Sequence, residues 1–397
     1  MSANHKLEHQ LLTQPTEVKF CTRCVVSNQR PRIVFDAGGV CSACRFADEK
    51  NHVIEWKNRE TQLEHLLDQH RSKAHSFDVV VPSSGGKDSS YVASRLIGYG
   101  MHPLCVTWAP FRRTPIGQQN FDNFIKSGFT VIEGHPNGAL HRQLARFCFE
   151  ELGDAWQPFA YGQMSFAFHI ALRFGIKIIF FGENGEAEYG GDPKNNYLPY
   201  MPAEDWARLY FKGTGINDLI PSLHLKGYIE RLPHPSIADR TFYKPPSPRD
   251  LKKAGIQMHW FSYYNRWRPQ EHYYYASQNT GFTANPQRSE GTYSRYASLD
   301  DMTDGFHFYM AYIKFGIGRA TSDAAHEIRD GHITREEGVS LVHRYDGEFP
   351  QLYFQEFLDY LGIDKKHFQD VVDSWRPPHL WDYNEGHGKW ALKHRVS

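Results

Sequence analysis

The stretch Asp78–Ser89 constrains the fold of this 397-residue chain more than any other. A short apolar run, Asp78-Val79-Val80-Val81-Pro82, ends in Ser83-Ser84-Gly85-Gly86-Lys87-Asp88-Ser89. After it Val92, Ala93, Leu96 and Ile97 share one helical face, and Gly100 stops the helix. A strand that runs through a tight glycine loop into a helix leaves the next strand to return parallel to the first, with the helix packed across the sheet. The chain then repeats the pattern. Leu104–Trp108 reads as a strand, 118–127 as a helix and 129–132 as a strand, followed by helices within 140–151 and 163–174 and a strand over 176–181. This alternation predicts an α/β fold with a doubly wound, mostly parallel sheet.

The glycine loop is not a Walker A loop, since Val81 stands where that pattern has its first Gly and Asp88 where it has Ser or Thr. Its physics is related. Gly85 and Gly86 let the backbone approach a polyphosphate closely, the N–H groups of the helix start point at it, and Ser84 and Ser89 add hydroxyls. Lys87 supplies positive charge. Asp88 would oppose bare phosphate, so the loop implies a magnesium ion between them. The alternative is an ordinary Gly-Ser turn. In sequence, S-G-G-x-D-S after a strand resembles the PP-loop of the N-type ATP pyrophosphatases. That resemblance implies cleavage of ATP between the α and β phosphates, adenylation of a substrate oxygen, and adenine held at the backbone of Val106 and Thr107.

A second motif closes the last of these strands: Phe181-Gly182-Glu183-Asn184-Gly185-Glu186-Ala187-Glu188-Tyr189-Gly190-Gly191. Ligands of open α/β sheets bind at such carboxyl ends. The segment resembles G-E-G-x-D-E-x-x-G-G in the synthetase domain of asparagine synthetases, departing from it at Asn184 and Ala187. The resemblance implies that Glu183 assists proton removal from attacking ammonia and that Glu186 helps to hold magnesium. Read without it, both acids could lie on a solvated loop.

Four of the six cysteines form Cys21-x-x-Cys24 and Cys41-x-x-Cys44, sixteen residues apart. This spacing fits a zinc ribbon, each pair turning two thiolates onto one ion, with Val25-Val26 and Ile33-Val34-Phe35 as the hairpin between the pairs. Four thiolates leave no open position, so the zinc would be structural. Two disulfides or an iron–sulfur cluster are the alternatives. Cys105 and Cys148 lie in apolar patterns and read as core residues.

The 45 basic and 45 acidic side chains cancel, which argues against a dedicated nucleic-acid or membrane-surface binder. No apolar run is long enough to span a bilayer and the first residues lack a signal-peptide core, so a soluble cytoplasmic protein is expected. The length suggests two or three domains. Residues 1–20 read as a flexible tail, 21–50 as the ribbon, 51–75 as a linking helix carrying Ile54, Leu63, Leu66 and Leu67, and 76–194 as the nucleotide core. The Pro- and aromatic-rich residues 195–300 read as a substrate-binding insertion or lid, and 301–397 as a helical region in which Thr334 and Glu337 form a capping box. Trp260, Tyr263, Tyr264 and Trp267 either stack on a sugar or base or fill an aromatic core. Lys87, Lys314 and Arg319 are candidates for neutralising pyrophosphate or a sugar nucleotide. His135, His169, His259 and His272 show no ligand spacing and read as structural.

Taken together, the ribbon with Pro31–Cys44, the run Trp260–Trp267 and the entry Gly316–Ala324 resemble the N-acetyl sugar amidotransferases of bacterial surface-polysaccharide synthesis, the WbpG/PseA-like group, over nearly the whole chain. The resemblance implies conversion of an acetamido group on a UDP-activated diacetamido sugar to an acetamidino group through an O-adenylyl imidate. It also implies ammonia from a separate glutaminase, HisH-like, with a HisF-like ammonia-channel protein. A glutaminase needs an activated cysteine; neither Cys105 nor Cys148 has that context, and Ser2 follows Met1. The rival readings are a PP-loop tRNA-modifying enzyme, which the neutral charge opposes, and a non-enzymatic zinc-ribbon interaction protein, which the retained Asp88, Glu183 and Glu186 oppose.

Overall fold

The apolar runs become strands whose side chains alternate between two buried faces. In the computed structural model, which describes residues 7–201, 211–226, 228, 237–386 and 388–397, β1 (Val79–Pro82), β2 (Pro103–Trp108), β3 (Thr130–Gly134), β4 (Ile178–Phe181) and β5 (Gln257–Trp260) form one parallel sheet in the order β3-β2-β1-β4-β5. Val80, Leu104, Val106, Ile179 and Phe181 enter one core; Val79, Val81, Cys105, Ile178 and Phe180 enter the other. With both faces covered, the strands have no polar side, hence their unbroken apolar spelling.

Helices α1 (Ser42–His52) and α2 (Trp56–His70) precede the sheet, and α3 (Lys87–Gly98), α4 (Pro115–Lys126), α5 (Gly138–Leu152), α6 (Gln157–Phe174) and the short α7 (Gly185–Tyr189) follow its first four strands. Beyond β5 run α8 (Pro269–Asn279), α9 (Asp304–Phe315), α10 (Arg319–Asp330), α11 (Arg335–Tyr345), α12 (Phe354–Leu361) and α13 (Lys365–Ser374). Leu63 and Leu67 of α2 pack with α3 on one face, while α5 and α6 cover the other. The chain winds outward from β1 through β2 to β3 and then returns to β4 beside β1. That reversal opens a crevice at the carboxyl ends of β1 and β4.

Several expectations need correction. The fifth strand comes from the residues assigned to the lid, so that region completes the sheet; Gln257 and His259 interrupt the apolar run that marks β1 and β4. The linking helix forms as α2, and the ribbon residues before it carry a further helix, α1. Ile97, placed on the buried face of its helix, is 49% exposed. The ribbon hairpin is reduced to the single bridges Phe20↔Ser27 and Phe35↔Cys41, because the cysteine turns occupy the chain between them. The helical C-terminal region also carries an antiparallel hairpin, β6 (Trp381–Asn384) with β7 (Lys389–Leu392). The capping box at Thr334 and Glu337 forms. Residues 1–6 of the tail and 202–210, 227 and 229–236 of the expected insertion lie outside the described residues. Among those described, no helix is long and apolar enough to cross a membrane.

Candidate active site

The glycine loop holds its shape largely by itself. Gly85 has φ +83°, and a Cβ there would lie 2.7 Å from Cα of Phe121, so only glycine lets α4 pack against the turn. The Ser84 hydroxyl accepts from Gly86 N–H at 3.3 Å, and Ser89 Oγ donates to the Gly86 carbonyl at 3.1 Å. No side chain caps α3, so the first-turn N–H groups of Lys87, Asp88 and Ser89 remain for an anion. Burial alone would raise the Asp88 carboxyl, but the Lys87 ammonium beside it and the bond from His272 hold it well below its ordinary value. His272 Nδ1 lies 2.8 Å from Asp88 Oδ1, with its ring buried between Tyr91 and Trp267. His272, read as structural, therefore positions a loop residue; nothing in its spacing revealed this, because the contact spans 184 positions.

The crevice is a cleft of about 490 Å³, lined by Ser83–Ser89 without Gly85, by Val106 and Thr107, by Gly182 and Glu183, and by Trp260. The Val106 carbonyl already accepts from Ser83 N–H at 2.8 Å, and the Thr107 hydroxyl donates to the Ser83 carbonyl. Those groups support the loop, and both residues also line the cleft. The far wall is Tyr296–Asp301 with Asp304, His307, Phe308 and Arg319. Arg319 stays in the cleft, its Nε donating to Asp323 at 3.0 Å. Asp300 faces the loop: a Cβ on Gly86 would come within 3.9 Å of its carboxylate. The lining holds more carboxylates (Asp88, Glu183, Asp300, Asp301, Asp304) than cations (Lys87, Arg113, Arg319). A polyphosphate would enter such a cleft only with a divalent cation.

Glu183 faces this cleft, and burial together with the charge of Asp88 pushes its carboxyl up to about 7. Glu186 does not face it. Its side chain folds back over Gly191, where a Cβ would lie 2.2 Å from Oε1, and takes Arg32 at 2.5 Å and Asn195 Nδ2 at 2.5 Å. A carboxylate held by a guanidinium in a separate pocket does not face the glycine loop, whereas Asp300 does. Lys314 is likewise out of the cleft, donating to Glu8 at 2.9 Å and to the Leu152 carbonyl at 2.8 Å. Trp267 is a core residue against Gly182 and His272, and Tyr264 is buried with its hydroxyl 2.8 Å from His259. Tyr263 carries the Arg59 guanidinium over its ring at 3.5 Å. Trp260 is almost fully buried and reaches only the cleft floor. The aromatic run is thus mainly core.

The four cysteines converge. Cys21, Cys24, Cys41 and Cys44 are at most 2% exposed and their sulfurs lie within 4.8 Å of one another. Backbone N–H groups of Cys24 and Cys44 point at Cys21 Sγ and Cys41 Sγ, each at 3.4 Å, as the two turns require. The crowding by Cys21, Cys24 and Cys41 pushes the Cys44 thiol far up, so four thiolates coexist only around a cation. The cluster could hold a metal ion such as zinc. It does not stand apart: Arg30 Nε donates to the Gly190 carbonyl at 2.9 Å and Ser42 Oγ to that of Gly191 at 3.3 Å. Lys50 is buried with Glu188 at 2.9 Å and Asp330 at 3.5 Å. The cysteine turns pack on Phe315, Ile317, Ala324 and Ala325.

Residues 290–396 match the family model for the C-terminal domain of WbpG-like LPS biosynthesis proteins. This segment is similar to the WbpG-like C-terminal domain. No curated protein matches the sequence. The WbpG-like domain supplies the whole far wall of the cleft from Tyr296 to Arg319, as well as the surface on which the cysteine cluster rests.

Proposed function

We propose that the chain is an ATP-dependent, AMP-forming amidotransferase that converts an acetamido group of a nucleotide-activated sugar, a UDP-diacetamido sugar, to an acetamidino group in the synthesis of LPS O-antigen or a related surface glycan. The observation that carries this reading is Glu183, with its raised pKa, facing Asp88 across a cleft whose floor is an uncapped helix start. The match to the C-terminal domain of WbpG-like LPS biosynthesis proteins supports the biosynthetic setting.

In this reading the N–H groups at Lys87–Ser89 and the Lys87 ammonium hold the phosphates of ATP in line with the amide oxygen. Magnesium would screen phosphate charge, with Asp88 and Asp300 as the carboxylates that hold it. The amide oxygen attacks the α phosphorus, pyrophosphate leaves, the amide N–H proton passes to water, and a neutral O-adenylyl imidate forms. Ammonia then adds to the imidate carbon and the C–O bond breaks, its electron pair leaving on AMP. Of the three ammonia protons, one goes to the sugar nitrogen, one stays on the new nitrogen and one goes to Glu183, whose pKa near neutrality suits a general base. Both cysteines outside the cluster are buried, and burial pushes the Cys105 thiol up to about 12, so neither suits a glutaminase nucleophile. Ammonia would come from a separate glutaminase.

The test is incubation with ATP, magnesium, ammonium and candidate UDP-diacetamido sugars. The reading expects AMP in equal amount to a sugar product lighter by the difference between O and NH; no AMP with any such sugar would sink it.

A further inference from the structure

Beside the cleft lies a second cavity of about 270 Å³, lined among others by Arg30, Arg32, Asp154, Glu186, Lys212 and Lys314. The two share His307 and Phe308, which form the wall between them. Gly153, with φ +59°, ends α5 and turns Asp154 into the interior, where it is 3% exposed. Both oxygens of Asp154 lie 3.0 Å from His307 Nδ1, and Lys212 Nζ takes one of them at 2.5 Å. Among the described residues no protein group takes His307 Nε2.

We infer that His307, oriented by Asp154, is a catalytic base that strips the proton from ammonium at the wall between the two cavities, so that ammonia enters the cleft as the neutral nucleophile. This rests on the amidotransferase reading. An imidazole whose Nδ1 is tied to a buried carboxylate has a fixed tautomer and presents Nε2 as an acceptor. The step is balanced: ammonium gives one proton to His307 Nε2, and its nitrogen keeps the lone pair that later forms the C–N bond. Glu183 is then left with the proton released by the adduct, a separate event.

The test compares ammonium with hydroxylamine, a nucleophile already unprotonated at neutral pH, in the full-length protein with ATP, magnesium and the sugar. For His307→Gln the expected result is a fall of about 100-fold in AMP release with ammonium and near-normal release with hydroxylamine. Asp154→Asn, acting through the orientation of His307, should follow the same split more weakly. Equal loss with both nucleophiles, or no loss with either, overturns the role of His307 while wild-type AMP release leaves the amidotransferase reading intact. A wild-type protein that forms no AMP with either nucleophile removes both.

Discussion

The glycine loop at 83–89 and the loop at 182–191 end adjacent strands of one sheet, yet they are held in opposite ways. The first is built mostly from its own residues: Ser84 and Ser89 bond to Gly86, and Gly85 makes room for α4, with His272 alone reaching Asp88 from far along the chain. The second is held from far along the chain. Arg30, Arg32, Ser42 and Lys50 grip it from the ribbon side, and Arg329 of the WbpG-like domain donates to the Glu188 carbonyl at 2.9 Å. The locally built loop offers a phosphate cradle, and the remotely built one offers the base. In this account the cysteine cluster serves catalysis by holding Glu183 in place, without touching a reactant.

The comparison can be broken first at the glycine loop. Gly85→Ala forces a Cβ against Phe121 at a φ that alanine resists, so AMP formation should fall by about 1000-fold with loss of ATP binding. Unchanged ATP affinity by calorimetry would refute the local origin of the cradle. Metal removal by a chelator, or Cys21→Ser, should act on the other loop alone. AMP release is expected to drop about 100-fold while ATP binding persists, provided that the core stays folded by circular dichroism. Parallel loss of binding and turnover would erase the distinction between the two loops.

The two acids once paired by sequence separate next. Asp300→Asn should raise the magnesium concentration needed for half-maximal AMP release by about tenfold, as loss of one carboxylate ligand of about 1.4 kcal/mol would give. Glu186→Gln should leave that requirement unchanged and instead lower stability by about 1–3 kcal/mol, since it removes the charge of a buried carboxylate that the half-buried Arg32 holds. The opposite pattern would restore Glu186 to the metal. The smallest effect is in pH. Glu183 titrates near 7, so below that value it is protonated and cannot accept a proton, and above it it can. kcat/KM should rise severalfold through about pH 7 and then level, and Glu183→Gln should remove that limb.

Four strands, the helix after the glycine loop and the convergence of the four cysteines were legible because each is spelled by local periodicity or spacing. β5 was not, since Gln257 and His259 break its apolar run and it owes its place to pairing with β4. At the site, Asp88 and Glu183 were readable from loops that follow strands. Glu186 was misassigned because a motif fixes backbone position and not side-chain direction, which Gly191 and Arg32 decide here. Asp300, His272 and His307 left no signal in spacing: each meets the cleft through a tertiary contact spanning more than a hundred positions. Of the two readings of the aromatic run, stacking surface or core, the structure favours the core: Phe261, Tyr264 and Trp267 pack on one face of the sheet, where Trp267 fills the space that Gly182 leaves.

The central claim is that ATP activates the oxygen of the sugar's acetamido group. The most direct measurement starts from a UDP-diacetamido sugar carrying oxygen-18 in that group and follows the label by mass spectrometry after turnover with ATP and ammonium. The account predicts that the label leaves on the phosphate of AMP. Label retained in the sugar product or released to water would contradict it.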